Sequence, residues 1–176
     1  MANRTALREL QTRLASRLQA ARSEGVSASW LAVKAGESNF LLPLAQSGEI
    51  FPLVNVQLVP YTQPWFLGVV NLRGGLFGVV DLASFMADGA PPLRSELSLS
   101  QASVITLNAG LELNCALMVD ALAGLRKRDA FADAVAPALD APAYFGTRFT
   151  DLHGAYWQEI NLQSLSQLAE FLKIGA

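Results

Sequence analysis

The sequence predicts an all-β chain folded as two small barrels, with a helix at each end. Three observations predict it. Past the first two dozen residues, the apolar positions fall into short runs broken by Gly, Asn and Pro, not into helical stripes. One strand-to-helix pattern occurs twice: Val79-Val80-Asp81-Leu82-Ala83-Ser84-Phe85 is echoed by Glu159-Ile160-Asn161-Leu162-Gln163-Ser164-Leu165. Between the two copies lies a stretch rich in Gly, Pro and Ser. Closing each strand set into a barrel would remove its adhesive edges.

The elements follow in chain order. Leu7, Leu10, Leu14 and Leu18 recur on one face of a helix over residues 1–27, with Gly25 as its stop. A single stripe of this kind packs on the body or docks a partner; both readings stand at this stage. Trp30 to Ala35 and Asn39 to Leu44 flank Gly36-Glu37-Ser38 as a hairpin. Val56 to Tyr61 is a further short apolar run, closed by Pro60 and Pro64. Phe66 to Leu72 and Leu76 to Asp81 form a second hairpin about Arg73-Gly74-Gly75, and Leu82 to Ala87 a short helix. Residues 91–100 read as a linker, so residues 28–90 would form the first barrel and 101–176 the second. In that second half, Ala102 to Leu107, Leu111 to Val119, Tyr144 to Phe149 and Ala155 to Ile160 read as strands. Asp133 to Pro142 reads as irregular, and Leu162 to Leu172 as the closing helix. Asp81 and Asn161 are expected to cap the helices that follow them, each side-chain oxygen accepting from a free N–H of the first turn.

Composition bounds the function. Of 176 residues, 52% are hydrophobic and 16% charged, against roughly a quarter charged in an average domain. Either the interior is large for the chain, or a partner covers part of the surface. No apolar run approaches the ~18 residues of a membrane span, so direct insertion is not expected. The N-terminus lacks the apolar segment of a secretory signal. A net charge of −2 gives no basic field for nucleic acid. That charge is unevenly placed: the first 24 residues hold five Arg and two Glu, a formal +3, which leaves −5 for the rest.

The residues offer no catalytic set. His153 is the only histidine and sits in an apparent turn; Cys115 is the only cysteine and lies in an apolar run. Together they cannot supply a zinc site, which needs several nitrogen or sulfur ligands. Asn71-Leu72-Arg73-Gly74-Gly75 lacks the GK[ST] ending of a phosphate loop and joins two strands, so no helix N-terminus awaits an anion. Asp81 and Asp120 are explained by cap and turn roles. A non-enzymatic binding protein without cofactor or metal is the expected class, with a small-molecule-binding β-barrel as the alternative.

Phe66-Leu67-Gly68-Val69-Val70-Asn71-Leu72-Arg73-Gly74, followed by Val79-Val80-Asp81-Leu82, resembles the signature of the CheW family. Phe40-Leu41-Leu42-Pro43-Leu44 with Glu49-Ile50, Val59-Pro60, and Met118-Val119-Asp120 match that family in order and spacing. The resemblance implies two SH3-like five-stranded barrels around a shared apolar seam. It also implies a cytoplasmic adaptor, recruited to receptor arrays, that binds the regulatory domain of a CheA-type histidine kinase. Its second partner would be the cytoplasmic tip of a methyl-accepting chemoreceptor. The basic N-terminal helix, Pro64-Trp65-Phe66 and the ending from Ala155 to Asn161 resemble the PilI-type members, which serve type IV pili and twitching motility. A flagellar chemotaxis coupler is the alternative within the family. The resemblance carries partner binding onto Arg73, Asn71, Gly74, Glu49, Ile50, Leu67, Val70 and Met118. Arg73 is either a fork for partner carboxylates or half of a local salt bridge; Asn71 and Gly74 are expected to shape the turn more than to touch a partner, and Glu49, Ile50, Leu67, Val70 and Met118 are each either contact or core. Gly78 stands where many relatives have proline, and with Gly75 it predicts a loose hairpin.

Overall fold

In the computed structural model, residues 2–23 and 30–176 are described; Gly25, the expected helix stop, lies outside them. A single long helix, α1 (Ala2–Ser23), precedes eleven strands. The first seven are β1 (Trp30–Ala35), β2 (Ser38–Pro43), β3 (Ser47–Pro52), β4 (Phe66–Leu72), β5 (Gly75–Asp81), β6 (Ser103–Leu107) and β7 (Cys115–Val119). Then come β8 (Ala121–Arg126), β9 (Phe131–Val135), β10 (Phe145–Asp151) and β11 (Tyr156–Ile160). Short helices α2 (Leu82–Met86) and α3 (Glu96–Gln101) separate β5 from β6; α4 (Leu162–Ser166) and α5 (Ala169–Leu172) end the chain.

The strands form two sheets, but neither is a contiguous half of the chain. The six-stranded sheet runs β8-β1-β2-β11-β10-β9, and the five-stranded sheet β3-β6-β7-β5-β4. Hence the division into residues 28–90 and 101–176 does not describe the sheets. The halves exchange hairpins. Strands β1 and β2 pair in parallel with β11 of the C-terminal half through β2, while β6 and β7 meet β5 through β7, also in parallel. The repeated strand-to-helix pattern is therefore real in space: β5 into α2 and β11 into α4 occupy equivalent places, each beside a borrowed hairpin.

Closure into two barrels is also not observed. Among the described residues, β3 and β4 are unpaired edges of the five-stranded sheet, as are β8 and β9 of the other. A lone bridge, Gln57 to Val69, spans the gap beside β4. Pro52 ends β3, and Asn55 adopts φ 38°, so the chain cannot continue as a ladder toward β4. The run Val56 to Tyr61 is consequently an extended strap and not a strand.

The core explains the composition. Central strands are buried on both faces, and alternate residues enter different cores. On β7, Cys115, Leu117 and Val119 face the seam between the sheets, whereas Ala116 and Met118 fill the five-stranded sheet's own core. On β1, Leu31, Val33 and Ala35 face the seam, and Ala32 joins Leu41, Phe131, Phe149 and Trp157 on the other side. Thus the large apolar fraction is taken up by three cores within one chain. The helices complete the seam: Leu18 of α1, Leu82 of α2, Leu162 and Leu165 of α4, and Phe171 of α5 are all buried there. Trp65 and Phe171 stack with centroids 6.0 Å apart, and Phe85 meets both edge-on.

The N-terminal stripe is only partly used. Leu14 and Leu18 are buried, but Leu10 is 45% exposed. Gln11 takes its place on the packed face, donating from Nε2 to Ser103 Oγ at 2.8 Å.

Candidate functional site

Hairpin β4–β5 presents the most prominent expected site residues. Its turn places Arg73 at φ 49° and Gly74 at φ 81°, the two consecutive positive values of a type I′ turn. That turn matches strand twist, so the hairpin is tight and not loose. Asn71 Oδ1 accepts from the Gly74 N–H at 3.0 Å and locks it. Gly78 contributes order as well: its N–H donates to the Asn114 carbonyl at 3.0 Å, and the Phe66 ring covers its Cα.

Arg73 reaches across to β3. Its Nε forms an ion pair with Glu49 Oε2 at 3.1 Å, and its guanidinium lies 5.9 Å from the Phe51 ring centroid. So the local salt bridge exists. Yet the Arg73 side chain remains 75% exposed and that of Glu49 43%; a pair this wet contributes ~1 kcal/mol at most. Two strands distant in sequence thus deliver a paired cation and anion to one exposed corner. Leu67 is half-buried beneath the strand set. In contrast, Ile50, Val70 and Met118 are core residues, Ile50 in the seam and the other two inside the five-stranded sheet. As the fold stands, a partner cannot touch them without displacing what covers them.

One polar arrangement was illegible in the sequence. Arg94, in the expected linker, forms a buried clamp. Nη1 and Nη2 hold the two oxygens of Asp81 at 2.6 and 2.8 Å, a bidentate fork. Nε donates to Asp120 Oδ1, and Asp120 Oδ2 accepts from the Gly36 N–H at 2.6 Å. Burial opposes the Arg94 charge, but hydrogen bonds and attraction from both carboxylates outweigh it and raise its pKa above the ordinary arginine value. Asp81 therefore does not cap α2 with its side chain, as expected; the carboxylate is committed to Arg94. Asn161 does cap α4, accepting from Ser164 N at 3.0 Å. The clamp joins the end of β5, the crossover from β7 to β8, and the β1–β2 turn. Its partners are 13 and 26 residues from Arg94, and no local spacing rule connects them.

His153 is exposed in the turn between β10 and β11. Among the described residues there is no cluster of three His, Cys, Asp or Glu fit for a metal. Burial pushes the Cys115 thiol up to about 12, so at pH 8 it is a packing residue, not a nucleophile. A thiol-specific chromogenic disulfide at pH 8 is expected to leave the native protein unmodified and to titrate one thiol after denaturation. Rapid native-state reaction would show that the seam opens.

Two β-sheets that exchange hairpins and present an exposed, tightly turned tip at Arg73 and Gly74 make up the fold and its candidate site. The chain belongs to the CheW-like domain family, whose model matches residues 29–170. It is 26% identical over 170 residues to Protein PilI of Pseudomonas aeruginosa, covering 93% of this chain and 89% of that one. In fold it is similar to the scaffolding protein TtCheW from Thermoanaerobacter tengcongensis. That match has a TM-score of 0.59 at 16% identity, over 77% of this chain and 89% of the other. Among the described residues, no helix is long and apolar enough to cross a membrane.

Proposed function

We propose that this protein is a non-catalytic adaptor that couples a methyl-accepting chemoreceptor to a CheA-type histidine kinase in a system controlling type IV pili. Membership of the CheW-like family across residues 29–170 is the observation that carries the reading. Similarity to PilI along most of the chain favours the pilus system over a flagellar one. The interiors of both sheets are filled by side chains such as Val70, Met118, Phe149 and Trp157, which counts against a ligand-holding barrel. Such an adaptor would work in the cytoplasm, gathered at the receptor arrays.

In this reading the corner of Arg73, Asn71, Gly74 and Glu49 is the polar part of the partner surface, with Leu67 beneath it. A partner carboxylate can replace Glu49 on the guanidinium, and the locked turn keeps the fork from losing much freedom on binding. Ile50, Val70 and Met118 then act by holding β3, β4 and β7 in place. Size-exclusion chromatography with the regulatory domain of the kinase from the same cell tests the adaptor reading. A joint peak is expected. Arg73→Ala should leave the melting temperature within about 2 °C, because the side chain is mostly exposed, while weakening receptor or kinase binding about tenfold or more. Unchanged affinity for both partners would remove Arg73 from the interface. The absence of any joint peak with either partner would defeat the adaptor.

A further inference from the structure

The aromatic cluster around α2 and α5 opens into a pocket. Trp65 and Phe85 meet edge-on with centroids 5.2 Å apart, and Phe85 lies 5.9 Å from Tyr144. These three rings, with Leu168, line a pocket of about 430 Å³. Trp65 is buried and the other two rings are half-buried, so the rings form the inner wall. Asp88 and Glu170 complete the lining, and both are exposed, which sets their carboxylates at the mouth. The two arrive from different elements. Asp88 follows α2 in a turn closed by the Gly89 N–H, which donates to the Ser84 carbonyl at 2.8 Å. Glu170 lies on α5, which Phe171 anchors by stacking on Trp65. The pocket shares no residue with the Arg73 corner.

The two carboxylates are uncompensated. Among the described residues the ion pairs are Arg73 with Glu49 and Arg94 with Asp81 and Asp120; neither Asp88 nor Glu170 takes part. The described residues lining the pocket include no Lys, Arg or His. Burial raises the Tyr144 phenol above its ordinary pKa, and the negative charges of Asp88 and Glu170 add to the shift. Both carboxylates are therefore within electrostatic reach of one ring. Other aromatic residues of the chain lie beneath an arginine: Arg128 is 5.5 Å from the Phe149 centroid and Arg126 5.9 Å from that of Trp157. Here the rings converge with two anions instead, and the negative ring faces reinforce the pull on a positive group.

We propose that this pocket binds a guanidinium group, brought by an arginine side chain of a partner chain. A guanidinium is flat enough to stack on a ring while its edge donates to carboxylates. One such group serves two carboxylates at once, as Arg94 does with Asp81 and Asp120 in this protein. An ammonium supplies the charge without the stack or the planar fork. Because the carboxylates stand at the mouth, the charge is met there and the ligand's backbone stays outside, which suits a side chain carried on a polypeptide. The proposal does not depend on the adaptor reading and adds a contact surface to the Arg73 corner.

The test is an NMR titration of the full chain with N-acetyl-arginine methylamide, following the Gly89 amide and the Trp65 indole N–H. Saturable shifts with a dissociation constant on the order of a millimolar are expected. The lysine counterpart should bind several-fold more weakly, and the neutral citrulline counterpart should produce no saturable shift. Asp88→Asn combined with Glu170→Gln should weaken arginine binding about tenfold, the loss of two exposed charge pairs. Its melting temperature should stay within about 2 °C of wild type, because both residues are exposed and Asn tolerates the positive φ of 53° at position 88. Absence of saturation with the arginine probe would overturn the proposal, and so would equal shifts with the citrulline compound, which need no variant to interpret. Unchanged affinity in a folded double variant would do the same. Agmatine separates the sources: affinity equal to or below that of the capped arginine supports a side-chain ligand, whereas binding about tenfold tighter would make the ligand a free small cation and overturn the partner-chain assignment.

Discussion

Arg94→Ala is expected to destabilise the protein by about 3–5 kcal/mol, the cost of stranding a buried carboxylate. Asp81 is 2% exposed, and both its oxygens depend on the Arg94 fork. Asp120 is 21% exposed in its side chain and keeps the Gly36 N–H, so water relieves part of its loss. Most of the effect therefore comes from Asp81. At about 2–4 °C per kcal/mol for a chain of this length, the melting temperature should fall by roughly 6–20 °C. Arg94→Lys should recover little, because an ammonium cannot serve Asp81 and Asp120 in one planar fork. By contrast, Arg94→Met combined with Asp81→Leu should recover much of the loss, since a well-packed apolar pair removes the desolvation cost from both sides. Urea unfolding of the four proteins checks this. A loss below about 1 kcal/mol for Arg94→Ala would mean that water reaches Asp81 and that the clamp is not a brace.

The position of that clamp shows what sequence reading reaches and what it does not. Strands β1, β2, β4, β5, β6, β10 and β11 were legible because local apolar runs end in turn residues. So was the helical N-terminus, from its leucine period. The turn of the β4–β5 hairpin was legible at Asn71-Leu72-Arg73-Gly74, and the resemblance made it the candidate site. What failed was long-range. Strands β8 and β9 carry Ala-Leu-Ala-Gly-Leu and Ala-Asp-Ala-Val, patterns too small and too mixed to announce strands without the neighbours that pair with them. Strand β3 begins Ser-Gly-Glu, which reads as a turn until Thr106 Oγ1 accepts its Glu49 N–H and Ile105 pairs with Ile50. The hairpin exchange was hidden for the same reason: parallel pairing of β2 with β11 and of β5 with β7 depends on contacts across much of the chain. A cap reading of Asp81 was sound locally, since Asn161 at the equivalent position behaves so. Arg94 overrides it because a bidentate ion pair outbids one neutral acceptor bond in a dry site.

Those same long-range contacts make Gly68 the most demanding position in the site-bearing hairpin. Gly68 has φ 134°, and a Cβ there would lie 2.1 Å from the Gln57 carbonyl oxygen and 2.8 Å from its carbon. Both are backbone atoms, so no side-chain rotation relieves the clash. Gln57 and Val69 exchange hydrogen bonds, Gln57 N to Val69 O at 2.8 Å and Val69 N to Gln57 O at 2.9 Å. This reciprocal pair is the only bridge holding the strap against the exposed edge of β4 among the described residues. Gly68→Ala must break it or distort β4. Two lost backbone bonds at ~1 kcal/mol each and strained φ at ~1–3 kcal/mol predict a loss of about 3–5 kcal/mol. Gly74→Ala is the matched control. Its φ of 81° is also unfavourable, but a Cβ there meets nothing within 4 Å, so it should cost ~1 kcal/mol. Amide exchange at Gln57 and Val69 should accelerate in Gly68→Ala and stay protected in Gly74→Ala, while thermal melts report the difference in stability. Equal stability of the two variants would show that the strap is not bound to β4. The glycine of the signature would then be explained by strand conformation alone, and the β4 edge beside Arg73 would be open for a partner strand.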